Sequence, residues 1–239
     1  MSKYSYDARA YDERYRRVYE AGAEFWEEPA PTEALVKFLY KNKLRKGSRA
    51  IEFGCGEGRD SVFLARSGFK VVSIDTSRYG LRRAKRLAKR EKVNLDLLIA
   101  DVVNLPVRNE TFDLEVSVGC LNLMTIQGAR DRHLHESYRV LKNGCAYFSC
   151  NSVVDQSMLV EEFYKNLGKQ PGTLIARKVV VHGKEREILL PIIAAWPKTK
   201  EKYSEEFEKA GFKIVEVNTV DAKPNGERCV LVARKAEET

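Results

Sequence analysis

The chain of 239 residues contains no apolar run approaching the roughly 18 residues a membrane-spanning helix needs, so no membrane span is expected. Its first residues, Met1-Ser2-Lys3-Tyr4, lack the apolar stretch of a secretory leader. Five cysteines (Cys55, Cys120, Cys145, Cys150 and Cys229) are odd in number and show no zinc-type spacing, which argues against a disulfide framework and against a metal site. Cys145 and Cys150 read as small buried apolar residues of one strand. A cytoplasmic protein is the expectation. Of the three histidines, His133 and His135 stand two apart on a helical segment, point to different sides and make a poor metal pair; they read as surface or packing residues. His182 falls in a turn and is expected in solvent. No repeat, low-complexity tract, catalytic triad or paired-carboxylate site is visible. Glutamine is scarce beside abundant Lys and Glu, a composition that suits a heat-adapted source.

The charge of one sign that the chain does carry in excess is local. The net charge is +8, and Arg78, Arg82, Arg83, Lys85, Arg86, Lys89, Arg90 and Lys92 face a single acid, Glu91, in one stretch. Leu81, Ala84, Leu87 and Ala88 supply a buried stripe at helical spacing there, leaving the basic residues on the opposite face. Such a run is a solvated face or a stripe for an anionic partner such as RNA; charge alone names no ligand, and the solvated face is the expectation.

From Ala50 onward, strand-like and helix-like segments alternate. Strands are predicted near 49–53, 70–75, 95–100, 112–118 and 144–150. Helices are predicted near 59–67, 77–91 (capped by Ser77) and 128–141, with Asn143-Gly144 as the turn before the fifth strand. Upstream, Thr32 reads as the N-cap of a helix reaching about Lys43. Alternation of this kind gives a parallel sheet covered by helices on both faces, with the strand C-terminal ends lined up along one ligand-binding edge. After Asn151 the pattern changes to a helix near 155–167 and a hairpin of 173–181 with 187–193 turning at His182-Gly183-Lys184. A helix near 200–210 and strands at 212–219 and 227–234 follow.

The richest local signal is Glu52-Phe53-Gly54-Cys55-Gly56-Glu57-Gly58, which closes an apolar run and opens a helix. Bare glycines let backbone approach a ligand, and a helix start offers unpaired N–H groups. Val71, Val72 and Ile74 lead to a lone acid, Asp75, where a ribose diol would be held, and Leu95–Ala100 ends in Asp101-Val102. The pattern points to a nucleoside cofactor. With Asn104-Leu105-Pro106-Val107 and Thr111-Phe112-Asp113 in order behind it, this series resembles the class I S-adenosylmethionine (SAM) methyltransferases, especially the small-molecule branch with the quinone-biosynthesis and thiopurine types. The resemblance spans about Ala50 to Cys150 plus Lys209-Ala210-Gly211-Phe212.

The resemblance implies a Rossmann-like, doubly wound, seven-stranded and mostly parallel α/β sheet with an antiparallel C-terminal hairpin. Residues 1–239 would form one SAM-binding domain, with 1–31 as an aromatic lid segment and 151–199 as a small insertion over the active edge. It implies SAM as cofactor and S-adenosylhomocysteine as product. Gly54, Cys55 and Gly56 would pass beneath the methionine portion, with Glu52 orienting the loop or the ammonium. Asp75 would accept from the ribose hydroxyls, and Thr76 would follow under the adenine. Asp101 and the Val102 N–H would meet the adenine edge, and Ser117 and Gly119 would flank the methionine end. Gly58 reads equally as a ligand contact or a helix-start glycine. Methyl transfer from an activated donor depends mainly on holding two reactants at attack distance, so no catalytic residue is singled out. The partner implied is a small-molecule acceptor. The turn Leu141-Lys142-Asn143-Gly144-Cys145 replaces the family's common Pro-Gly-Gly. The Asn/Asp-Pro-Pro-aromatic loop of nucleic-acid amino methyltransferases is missing after Ser117, so a nucleic-acid substrate is not expected. The alternatives are an RNA or protein methyltransferase docking through 78–92, a non-catalytic SAM-binding protein and, more remotely, a nicotinamide dehydrogenase. A monomer or homodimer fits equally.

Tyr11, Tyr15 and Tyr19 share one helical face, followed by Phe25-Trp26. Tyrosine and Trp26 rings over a sulfonium would add cation–π attraction and exclude water; the plainer reading is core packing. Glu115, inside an apolar strand, either pairs with a cation or reaches the pocket as a base. Within the insertion, Phe163, Tyr164, Arg186 and Trp196 are candidate substrate-pocket residues. If Tyr15 lies over the cofactor, Tyr15→Ala raises the SAM dissociation constant several-fold in a calorimetric titration. An unchanged constant removes Tyr15 from the site.

Overall fold

Strand β1 (Arg49–Phe53) is exposed at its first residue and buried at the next four, the mark of a central strand covered on both faces. In a computed structural model describing residues 6–23, 30–156, 158–221 and 226–237, β1 sits between β2 (Lys70–Asp75) and β4 (Phe112–Val118). β3 (Asp96–Ile99) lies beyond β2. On the other side follow β5 (Leu141–Ser152), β9 (Glu227–Lys235) and β8 (Phe212–Asp221). The seven-stranded order is β3-β2-β1-β4-β5-β9-β8, with β9 antiparallel to both neighbours. The doubly wound α/β sheet with its antiparallel C-terminal hairpin is therefore as the resemblance implies. The order reverses between β1 and β4, which opens a crevice at their carboxyl ends.

Alternating side chains build two cores. Ile51, Phe53, Tyr147 and Leu231 pack on one face with Leu134 of α5 (Gln127–Val140) and Tyr203 and Phe207 of α7 (Lys200–Lys209). Ala50, Leu114, Phe148 and Val232 pack on the other with Leu35 and Phe38 of α2 (Glu33–Asn42) and Leu64 of α3 (Arg59–Arg66). The basic segment is α4 (Arg78–Arg90), whose Ser77 hydroxyl accepts from the Gly80 N–H and caps it as expected. Thr32 stands at the α2 N-cap but does not cap it; its N–H and hydroxyl both go to the Asp60 carboxylate, at 2.6 and 2.7 Å. Asn143-Gly144 is not a turn before the fifth strand but part of β5 itself. Pairing jumps from Phe112–Leu141 to Leu114–Ala146, and Gly144 (φ 71°) carries the bulge.

The segment after β5 forms α6 (Val160–Leu167), which starts later than expected, where Glu162 accepts from the Leu159 N–H. A separate hairpin of β6 (Leu174–Val181) and β7 (Lys184–Pro191) follows. His182 (φ 49°) and Gly183 (φ 74°) make its two-residue turn, and His182 is exposed as expected. The N-terminal helix α1 (Ala10–Glu20) packs on this hairpin, with Val18 and Ala23 against Val179, Val181 and Leu190. Each buried Val or Leu there contributes about 1.5–3 kcal/mol relative to exposure. No helix among the described residues is long and apolar enough to cross a membrane.

Glu115 meets neither expectation. It is fully buried on β4, accepts from the Ser137 hydroxyl at 2.7 Å, and has no cation beside it among the described residues; burial pushes its carboxyl well above the usual range. Next to it His133 is also buried, its Nε2 2.9 Å from the Tyr147 hydroxyl, whereas His135 is exposed. Burial, aided by the Arg130 charge, drives the His133 pKa down to about 3. Its unfolded value is higher, so the unfolded chain binds the proton first and stability falls as pH drops below about 6.5. Urea unfolding is expected to show the wild type losing about 3 kcal/mol more than His133→Gln between pH 7 and pH 4. Parallel losses in the two proteins would refute the buried neutral imidazole.

Candidate functional site

Where β1 runs out, the chain crosses the carboxyl edge of the sheet through Gly54 (φ 69°), Gly56 (φ 52°) and Gly58 (φ 80°), all left-handed. A β-carbon at Gly56 would lie 2.5 Å from the Tyr15 hydroxyl oxygen, and one at Gly54 3.0 Å from Cys120 Sγ. Gly58 is required for a different reason: its β-carbon would meet that of Ala84 at 2.7 Å, so it serves helix packing. Gly80, on the first turn of α4, does the same for the loop, since a β-carbon there would lie 3.0 Å from the Gly56 carbonyl oxygen.

Asp75 ends β2 and pins this loop. Its Oδ2 accepts from the Gly56 N–H and its Oδ1 from the Ser77 N–H, each at 2.8 Å. Burial raises its pKa, and the backbone donors oppose that rise. Glu52 is buried and accepts from the Ser61 hydroxyl. Burial first, and the Asp60 charge second, push its carboxyl well above the usual range. The Cys55 thiol is buried and pushed up as well, which makes it a poor nucleophile.

These residues floor a cleft of about 260 Å³ along the carboxyl edge. Toward β3 its walls are Tyr6, Ala8, Thr76, Ala100 and Val102; over the glycine loop they are Tyr11 and Tyr15. Toward β5 and β9 come Gly119, Asn122, Leu123, Met124, Ser152, Ile193, Ala194 and Arg228. Of the residues singled out from sequence, Tyr15, Glu52, Gly54, Cys55, Gly56, Asp75, Thr76, Val102 and Gly119 line the cleft. Asp101 is one layer back: its Oδ1 accepts from the Tyr6 hydroxyl at 2.9 Å and from the Val103 N–H at 3.1 Å. Ser117 is fully buried in β4 and does not line the cleft. Phe25 and Trp26 lie outside the described residues.

The tyrosine face of α1 divides its work. Tyr11 and Tyr15 look into the cleft, while Tyr19, stacked on Tyr15 at 5.9 Å between ring centroids, donates to Glu57. The helix is tied down by the Ser77 hydroxyl donating to Asp12 at 2.7 Å and by the Thr76 hydroxyl donating to the Ala8 carbonyl. Arg83 lies 4.1 Å over the Tyr19 ring and donates to the Ala23 carbonyl. One member of the basic stripe is thus spent on holding α1 rather than offered to solvent.

The insertion reaches the cleft differently from expectation. Phe163, Tyr164 and Trp196 pack with Val160 and Ile192 in a cluster of their own, and Arg186 is exposed on β7; none lines the cleft. The Trp196 ring N–H donates to the Met158 carbonyl. The Tyr164 hydroxyl donates to the Ile193 carbonyl at 3.0 Å and accepts from the Ala195 N–H at 2.6 Å, fixing the strip that presents Ile193 and Ala194 to the cleft. Arg59, Asn122, Ser152 and Arg228 went unnoticed in the sequence because no spacing marks them; each is brought in by a different strand or helix end. Among the described residues no group of three or more His, Cys, Asp or Glu side chains could hold a metal.

Residues 50–144 match the family model of a methyltransferase domain. The chain is 33% identical over 101 residues to the malonyl-[acyl-carrier protein] O-methyltransferase of Hamiltonella defensa, covering 41% of this chain and 36% of that protein. It is 28% identical over 172 residues to the demethylmenaquinone methyltransferase of Streptomyces avermitilis, covering 72% of this chain and 71% of that one. The chain thus spans from about a third to over two thirds of the length of these curated relatives. Among solved structures it is similar to the Burkholderia thailandensis 1,6-didemethyltoxoflavin-N1-methyltransferase with bound S-adenosylhomocysteine. The TM-score is 0.62 at 18% identity, covering 95% of this chain and 84% of that one.

The crowding at Gly56 makes a clear test. Gly56→Ala is expected to cost about 1–2 kcal/mol from its left-handed backbone alone, plus the clash with Tyr15. Thermal unfolding should show a lowered midpoint, and adding Tyr15→Phe should recover the part due to the hydroxyl. A Gly56→Ala protein as stable as the wild type would refute the described loop.

Proposed function

We propose that the chain is a SAM-dependent methyltransferase that transfers the methyl group of SAM to an oxygen, nitrogen or sulfur atom of a small-molecule acceptor, a reading supported by the methyltransferase-domain match and the methyltransferase relatives. The donor set of the cleft fits the cofactor. The carrying observation is Asp75: each carboxylate oxygen spends one lone pair on a backbone N–H, which leaves acceptor capacity on both for a diol beside the glycine cradle. Val102 suits an adenine edge, with Asp101 one layer behind it holding Tyr6, and Gly54 and Gly56 leave space that side chains would fill.

When bound, SAM supplies a methyl carbon made electrophilic by the sulfonium; the acceptor's lone pair forms the new bond as the carbon–sulfur pair returns to sulfur. The chain's own residues bind, orient and exclude water. Asp75 and the loop fix the nucleoside, and the buried Glu52 braces the loop through Ser61. Tyr11 and Tyr15 roof the reacting region, and Ile193 and Ala194 narrow its far side. Orientation of this kind supplies on the order of 7–11 kcal/mol in favourable systems. In this reading residues 1–239 act as one domain whose lid is α1 and whose substrate cap is the 151–199 insertion.

Calorimetric titration with SAM, S-adenosylhomocysteine and NAD tests the reading. The two sulfur cofactors should bind with micromolar-range constants and NAD should not. Asp75→Ala should weaken both by about a hundredfold, in keeping with two lost hydrogen bonds to a charged acceptor. Absence of heat with either sulfur cofactor on folded protein would overturn it.

A further inference from the structure

The carboxyl edge holds more acids than bases, yet its charges are not evenly matched. Glu52 accepts from Ser61, Glu57 from Tyr19, Asp60 from Thr32, and Asp75 from Gly56 and Ser77. Arg59 leans on Thr32 at 3.4 Å and on Asp60 at 3.8 Å. Arg228 is the exception: half-buried in the cleft wall, it has no hydrogen-bond or ion-pair partner among the described residues. A guanidinium presents five N–H donors in a planar fork and is always charged, so its withdrawal from water is uncompensated until an anion arrives.

Its position separates it from the nucleoside end. Arg228 stands on β9, paired with Ser152 of β5, and its Nη1 lies 3.8 Å from where a Gly119 β-carbon would be. With strands about 4.8 Å apart, β9 is roughly 14 Å from β1 and one step further from Asp75. In the same cleft wall Asn122 is 6% exposed, and its side-chain oxygen is buried with no donor among the described residues. Its backbone is held at both ends, the N–H donating to the Asn151 side-chain oxygen at 3.3 Å and the carbonyl receiving the Trp196 N–H at 2.6 Å. A buried acceptor without a donor is costly and marks a place where one is meant to arrive.

We propose that Arg228 and Asn122 form the acceptor subsite and that the acceptor is a small anion, a carboxylate or phosphate, carrying a hydroxyl or amine. The anion sits on the Arg228 fork; the hydroxyl or amine donates to the Asn122 amide oxygen. Leu123, Met124, Ile193 and Ala194 supply apolar walls for its body. The inference rests on the methyltransferase reading above, since it takes the nucleoside end as occupied by the cofactor.

The test uses protein saturated with S-adenosylhomocysteine, titrated with benzoate, 3-hydroxybenzoate and phenyl phosphate, and with benzamide and phenol as uncharged probes of like size. The acids should bind about tenfold or more tightly than the neutral probes, as expected for a charge-assisted pair. The better of benzoate and phenyl phosphate then identifies the anion. Arg228→Gln should erase that preference while leaving the S-adenosylhomocysteine constant within about twofold, and Asn122→Ala should erase the advantage of 3-hydroxybenzoate over benzoate. Equal binding, or no binding, of acids and neutral probes by the wild type overturns the proposal. So does an Arg228→Gln protein that loses S-adenosylhomocysteine affinity, which would assign the arginine to the donor's own carboxylate. Failure of S-adenosylhomocysteine to bind the wild type would instead bring down the methyltransferase reading.

Discussion

The pair of backbone N–H groups on the Asp75 carboxylate is the constraint from which the rest of the edge follows. One N–H comes from the loop after β1 and the other from the start of α4, so a single side chain at the tip of β2 fixes three chain segments relative to one another. The loop can come that close because Gly56 and Gly80 carry no β-carbon. Burial opposes the charge on Asp75 and the N–H groups support it, a balance that leaves the group ready for further donors. Glu52 stands below, its carboxyl pushed well above the usual range by burial first and by its neighbour Asp60 second.

A second layer closes over that edge from both ends of the sequence. α1 rests on the β6–β7 hairpin through an apolar cluster, and its foot is tied to the tip of β2 and the start of α4 by Thr76 and Ser77. The same three-residue corner, Asp75 to Ser77, thus orders the loop beneath the cleft and the helix above it. The basic helix gains a structural duty in this arrangement, since Arg83 clamps Tyr19 and the Ala23 carbonyl. Its remaining arginines and lysines, such as Arg82 and Arg86, face outward as a solvated surface.

The two halves of the cleft differ in how they are assembled. On the β1–β3 side, the residues come from consecutive β-α turns and lie close together in sequence. On the β4–β9 side, they arrive from a strand end, an insertion and the last strand, separated by many tens of residues. The first half is built from local turns of the chain, and the second depends on how distant segments dock.

That difference also divides what was legible in the chain from what was not. Strand and helix periodicity, the glycine loop and the strand-tip acid determined the alternating α/β sheet, its order of elements and the placing of Gly54, Gly56 and Asp75 at the cleft, because each is a local pattern of burial or turn geometry; Thr76, Val102 and Gly119 came from the resemblance to a known family. Glu115, read as a paired charge or a pocket base, is instead buried on the Ser137 hydroxyl with its carboxyl pushed above the usual range, because only packing against α5 decides how dry its surroundings are. Phe163, Tyr164 and Trp196 were read as pocket residues on their aromatic character. They instead brace the strip carrying Ile193 and Ala194, since which side of an insertion faces the sheet depends on how it docks. Arg228 and Asn122 left no mark in the sequence at all. Their presence in one cleft is set by β-sheet register and by a strand returning antiparallel from the far end of the chain, a long-range placement that no local spacing encodes.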